Sequence, residues 1–252
     1  MRNILVIAKK DLKTLFSSSI FYVVCTFCTI LWGIIFATKF LMFSQNFMAG
    51  QETNHNIHGE VFLTHISSVN LLFILLVPAL TMRLLAEEKK QRTIDLLLTS
   101  PLTSTQIVLG KYLAGLGGVL FLIALSFLYP IMTAFMAEIQ WGPLLSTYLG
   151  LILISGIYVA IGLFASSLTE SVVLSVVMGL IFNLLFWFIG MTAERTEIPY
   201  VTSIIEYLSV GQHFMAFAAG SIKLNAAIFF LSCAGFFVFL AQRVVEFFRW
   251  RA

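Results

Sequence analysis

Charge is scarce in this chain. Asp, Glu, Lys and Arg make up 11 % of its 252 residues, against about 25 % in soluble domains. Because 60 % of the residues are hydrophobic, a water-soluble fold would have to expose large apolar patches, which places the chain in a bilayer. The net charge of +3 is small, and the basic residues lie beside apolar runs rather than along a stripe. That excludes a nucleic-acid groove. Cysteine is nearly absent: Cys25, Cys28 and Cys233 all fall within apolar runs. No disulfide framework can form there, and the C-x-x-C at 25–28 reads as helix packing rather than a redox motif.

Catalytic and nucleotide-binding signatures are missing too. Glu87, Glu88 and Arg92 spell E-E-x-x-x-R, similar to the glutamate motif of CAAX-type intramembrane proteases. That chemistry also needs histidines in patterns such as F-x-x-x-H and H-x-x-N. His65 and His213 lack a Phe four residues earlier, and none of His55, His58, His65 or His213 has Asn or Asp three residues later. His55 and His58 could share a metal across one helical turn, but a pair in a polar loop is more simply solvated. The "LGKY" at 109–112 resembles the end of a phosphate-binding loop, yet Thr105 stands where Gly is needed and Tyr112 where Ser or Thr is needed. No catalytic residue, metal or cofactor is expected, and any ATP that drives the protein must bind another chain.

Long apolar runs are what the sequence has. A spanning helix needs about 20 mainly apolar residues, and six stretches qualify: 20–43, 66–86, 106–135, 144–166, 171–192 and 224–246. The first is too long for a signal-peptide core and is expected to stay as an anchor. Lys and Arg collect on one side: Arg2, Lys9, Lys10 and Lys13, then Arg83, Lys89, Lys90, Arg92 and Lys111, then Arg243, Arg249 and Arg251. The other side has Lys39, Arg195 and Lys223. This asymmetry predicts both termini in the cytoplasm.

Local signals divide the connections. Residues 1–17 read as an interfacial helix, with Ile4, Leu5, Ala8, Leu12, Leu15 and Phe16 on one face and Lys9, Lys10 and Lys13 opposite. Pro101 stops whatever helix precedes it, so 87–101 is predicted as a short element of its own, charged at first and then apolar through Ile94, Leu97 and Leu98. Thr103 with Gln106, and Ser167 with Glu170, fit the capping box that opens a helix. Pro78 and Pro130 are expected to kink spans two and three.

The stretch "EEKKQRTIDLLLTSPLTSTQIVLGKYLAG" at 87–115 resembles the signature of ABC-2-type transporter permeases. The matching positions are Glu87, Glu88, Thr93, Leu96 to Pro101, Gly110 and Lys111, with Arg92 where Gly is usual. "YLSVGQHFMAFAAGSIKLNAAIFFLS" at 207–232 is similar to that family's region before the last span, with Val210 where Pro is common. The six-span build looks most like the gliding-motility-associated permeases.

The resemblance implies an all-α polytopic permease in a bacterial inner membrane, working as a dimer on separate ATPase subunits and exporting a substrate. The segment 87–101 would then be a coupling helix whose charged residues Glu87, Glu88, Lys89, Lys90 and Arg92 meet the ATPase, anchored by Ile94, Leu97 and Leu98. The turn holding Ser167 and Glu170 would be a second contact. Asn70, Ser126, Ser155, Ser175 and Asn183 are candidates to line a substrate path, since polar groups within spans are costly; interhelical hydrogen bonding is their plainer role. The other function open to such a chain is mechanical, passing ATPase motion to a neighbouring gliding or secretion assembly without transport.

Overall fold

In a bilayer interior a backbone amide is satisfied within its own helix, so the apolar runs have few architectures open to them. The computed structural model of the chain describes residues 2–48, 57–94, 102–193, 205 and 207–251, and every regular element among them is helical. They are α1 (Arg2–Phe16), α2 (Ser19–Met48), a π-helical turn (His58–Phe62) leading directly into α3 (Leu63–Lys90), α4 (Ser104–Ala134), α5 (Trp141–Leu168), α6 (Val172–Ala193), α7 (Val210–Ala218) and α8 (Leu224–Arg251). Helical stretches at Ser19–Asn46, His58–Lys90, Ser104–Ala134, Trp141–Leu168, Val172–Ile189 and Leu224–Arg249 are long and apolar enough to cross a membrane. One falls on each of the six runs read from the sequence. The chain is an all-α multi-pass membrane protein.

Helix α5 is the axis of the bundle. Of its apolar stretch 78 % is buried, against 28 % for α2 and α8 and 17 % for α6, and it packs on α3, α4, α6, α7 and α8. Missing side chains let its neighbours come close, as is usual between membrane helices. A Cβ on Gly162 would lie 2.1 Å from Thr81 Oγ1 of α3, and one on Gly150 would lie 2.7 Å from Phe217 Cβ of α7.

The amphipathic α1 rests against α4 in the same way. Gly110, Gly117 and Gly118 of α4 face Ile7, Leu12 and Leu15, with only 2.7 Å between a Cβ at 110 and Ile7. Its buried line is Ile7, Asp11 and Leu15, so the inward face is rotated from the one expected. Leu5 is 64 % exposed, and an aspartate lies at the centre of the contact.

Three local expectations change. The charged residues 87–90 are not part of a separate element but the last turn of α3, because nothing in E-E-K-K disfavours a helix. The stop comes at Arg92, whose φ is 56°. Its amide donates to Lys89 O and that of Thr93 to Glu88 O, each 3.0 Å, the pattern of a Schellman turn with arginine in the left-handed position that glycine usually fills. Residues 95–101, with Leu97 and Leu98, lie outside the described residues.

The capping box at Ser167 is also replaced. Helix α5 runs to Leu168, which puts Ser167 in its last turn, where Oγ donates to Phe164 O at 2.7 Å. Ser171 caps α6 instead, its Oγ accepting from the Leu174 amide at 3.4 Å. The Thr103–Gln106 box does form at the start of α4. His58, expected in solvent, is buried, with Nε2 3.1 Å from Ala218 O.

Candidate functional site

Most of the basic residues gather where α3, α5 and α8 end and where α1 and α4 begin, and the centre of this charged end is Lys111 of α4. Its side chain is 1 % exposed. Two carboxylates hold the ammonium: Glu88 Oε2 of α3 at 2.7 Å and Asp11 Oδ2 of α1 at 3.1 Å. The glycine-lined approach of α1 to α4 carries Asp11 inward, and the continued helix of α3 carries Glu88 there. A buried ammonium without partners would face a large desolvation cost. Three helices are therefore joined at one point by charges that cannot separate cheaply.

Lys89, the next residue, makes a second joint. It is buried, its ammonium donates to Ser167 O at the end of α5, and it lies 3.9 Å from the centroid of the Phe248 ring of α8. Glu170 places an opposite charge nearby. A cation against the carbonyls that close α5 also suits the negative end of that helix. Arg249 of α8 donates to Leu102 O at 3.1 Å, next to α4. Successive side chains on one turn of α3 thus reach α1 and α4 on one side and α5 and α8 on the other.

The expected coupling residues divide accordingly. Glu88, Lys89 and Ile94 turn inward, Ile94 packing with Ile7, Leu84, Leu85 and Ile107. Lys90 and Arg92 are exposed, and Glu87 is partly exposed beside Arg83, with Oε2 3.8 Å from Nε. Ser167 is buried and Glu170 exposed.

The candidate path residues are all buried within this one chain. Tyr158 donates to Asn70 Oδ1 at 3.1 Å, Ser155 donates to Ile152 O at 2.8 Å, and Asn183 donates to Ile74 O at 3.4 Å. Ser175 lies in the first turn of α6 with its hydroxyl buried. Ser126 belongs to a larger cluster: its Oγ is 3.0 Å from His65 Nε2 and 3.1 Å from the Tyr148 hydroxyl, which donates in turn to Ser126 O at 3.2 Å. The bonds of this cluster link α3, α4 and α5. Among the described residues no group of three or more His, Cys, Asp or Glu side chains is placed to hold a metal.

Asp11 and Tyr148 were not singled out from the sequence, and His65 was read there only against protease patterns. Asp11 had a usable signal, since it is the one acid on α1 and falls four residues after Ile7 and four before Leu15. Lys111 was read only as one of the topology-setting cations and as part of a G-K word.

The contacts at the charged end join α1, α3, α4, α5 and α8 through buried or half-buried charges. No curated protein matches the chain. The family profile described as "ABC-2 family transporter protein" matches residues 5–249, a range that takes in every spanning helix and the Asp11–Lys111–Glu88 joint. The chain belongs to the ABC-2 transporter family, as a membrane-spanning permease component of an ABC transporter.

Proposed function

We propose that this chain is one half of an ATP-driven exporter, paired with a second permease copy or homologue and resting on a separate ABC ATPase subunit. The charged end is the cytoplasmic one, as its excess of Lys and Arg suggests. The ATPase contact is made by Glu87, Lys90, Arg92 and the segment 93–101. ATP is bound and hydrolysed by the partner, because the one G-K pair of this chain lacks a phosphate loop.

One observation carries this reading. The last turn of α3 is exposed through Lys90 and continues into Arg92, while Glu88 and Lys89 grip α1, α4, α5 and α8. A displacement applied at Arg92 therefore moves the ends of five helices, which is what coupling to an ATPase requires.

Co-purification of the ATPase with variants, normalised to permease level, tests the proposal. Replacing Leu97 and Leu98 together by Asp should release the ATPase while the permease melts normally, since a lost interface anchor often costs about 2 kcal/mol or more. Reversing Glu87 should weaken the complex less, and in a salt-dependent way. Undiminished co-purification of the double Asp variant would remove the coupling role from this segment.

A further inference from the structure

Beside the Lys111 joint, a cleft of about 590 Å³ opens between α1, the 17–18 link and α3, lined by Lys10, Asp11, Ser18, Arg83, Glu87 and Glu88 among others. A shallow groove adjoins it between α2 and α3, lined by Ile20, Phe21, Val24, Ala79 and Leu80. The two share Leu15, Ser18 and Arg83. The groove belongs to spanning helices, and the cleft lies where those helices leave the apolar region.

From this arrangement we infer that the chain holds one phospholipid with a zwitterionic, primary-amine headgroup at the α1–α2–α3 junction. The order of chemistry along α3 supports it. Ala79 and Leu80 are apolar, Arg83 is a cation one turn on, and Glu87 and Glu88 are acids one turn further. A phospholipid of the ethanolamine type has the same order: acyl chain, phosphate, ammonium. Its first methylenes lie in the groove. Its phosphate meets Arg83 and the hydroxyl of Ser18, which already accepts from Arg83, while Lys10 stands at the mouth with its side chain 63 % exposed.

The ammonium points to the inner part of the cleft. Asp11 and Glu88 both meet the ammonium of Lys111 there, and Asp11 Oδ1 also lies 4.0 Å from the exposed Lys10; the carboxylate oxygens that do not face Lys111 can accept from an added ammonium. Across the whole cleft the cations Lys10, Arg83 and Lys111 equal the acids Asp11, Glu87 and Glu88 in number, which favours a headgroup of no net charge over an anionic one. An ammonium with N–H groups can donate to carboxylates. A choline cannot, and it is recognised by aromatic cages, whereas among the described residues the cleft lining contains no aromatic one.

Native mass spectrometry of the full chain, stripped of lipid in detergent and titrated with dioleoyl phosphatidylethanolamine, phosphatidylcholine or phosphatidylglycerol, tests the site. One ethanolamine lipid should bind at least tenfold more tightly than either other lipid. Arg83→Gln should weaken binding of all three lipids at least tenfold, because each carries the phosphate. Because Arg83 also bonds Ser18, two further variants guard against a folding defect: Lys10→Gln at the exposed mouth should weaken binding a few-fold, and Ala79→Phe should block the groove and weaken all three lipids alike. Soluble glycerophosphoethanolamine should fail to compete at concentrations where the lipid saturates. Equal binding of the three lipids, or an unchanged affinity in the Arg83 variant with an unchanged melting temperature, would overturn the inference. Full competition by the soluble headgroup would also overturn it, since the groove would then contribute nothing.

Discussion

The two ends of this bundle bury polar groups by different rules. At the charged end, Lys111 is held between Asp11 and Glu88, contacts that join residues 100 and 23 positions apart in sequence. Nearer the opposite end, His65, Ser126 and Tyr148 form a compact cluster with no acid among them, linked through one hydroxyl and one carbonyl. An ionic joint fails badly when one member is removed, because a buried charge is left behind. A neutral cluster loses little, since its members can turn to nearby backbone carbonyls in the way membrane hydrogen bonds commonly do. The first arrangement suits a place where helices must move together under load, and the second a place where they only have to pack.

The largest effect expected from this contrast is at Lys111. Lys111→Met leaves Asp11 and Glu88 facing each other with no cation between them and should destabilise the chain by about 3–5 kcal/mol, read as a lower melting temperature in detergent. Helix α1 should loosen first, so that a cysteine at Leu15 becomes reactive in the variant. Neutralising all three positions, as Asp11→Asn, Glu88→Gln and Lys111→Met, should recover most of the loss, because the uncompensated charge is gone. If the triple variant is no more stable than the single one, the joint is held by packing on the α4 glycines rather than by charge.

The matching change in the neutral cluster is Ser126→Ala, expected to cost about 1 kcal/mol. Tyr148 keeps its bond to the carbonyl of residue 126 and His65 keeps a carbonyl within 3.3 Å. A melting-temperature loss as large as that of Lys111→Met would erase the distinction between the ends.

How much of this was legible in the sequence follows from the range over which each feature is decided. The six spans are set by hydropathy within some 20 residues, and the Thr103–Gln106 cap by side chains three positions apart. Those are local properties, and the structure has them where the sequence puts them. The Asp11–Lys111 pair depends on α1 lying against α4, which no periodicity in either segment specifies. The expected apolar face of α1 included Leu5 because hydropathy does not distinguish a neighbouring helix from lipid. The extent of α3 was misplaced for a related reason. Four charges in a row suggest a boundary at the membrane surface, whereas a helix continues through charged residues until its backbone is stopped. His65 was weighed only for protease patterns, and its partner Ser126 lies 61 positions away.

The smallest effect concerns how the helices stop, and here too the ends differ. Helix α7 closes at Gly220, with φ 80°, and helix α3 at Arg92, with φ 56°. Both have the Schellman pair of bonds: the Gly220 amide donates to Phe217 O and the Ser221 amide to Ala216 O, just as Arg92 and Thr93 donate to Lys89 and Glu88. Only one of them uses the residue that tolerates this backbone freely. A left-handed arginine costs roughly 1–2 kcal/mol relative to glycine, offset in part by the greater chain entropy that glycine loses on folding. Arg92→Gly should therefore raise stability by about 0.5–1 kcal/mol, and Gly220→Ala should lower it by a similar amount or more, since its Cβ would also meet Pro143 at 3.2 Å. If exposed Arg92 instead serves the ATPase contact, Arg92→Gly will melt higher yet hold the ATPase less tightly. Measuring both on the same purified variant separates backbone strain from docking, and a lower melting temperature would mean that the arginine side chain, rather than its conformation, stabilises this turn.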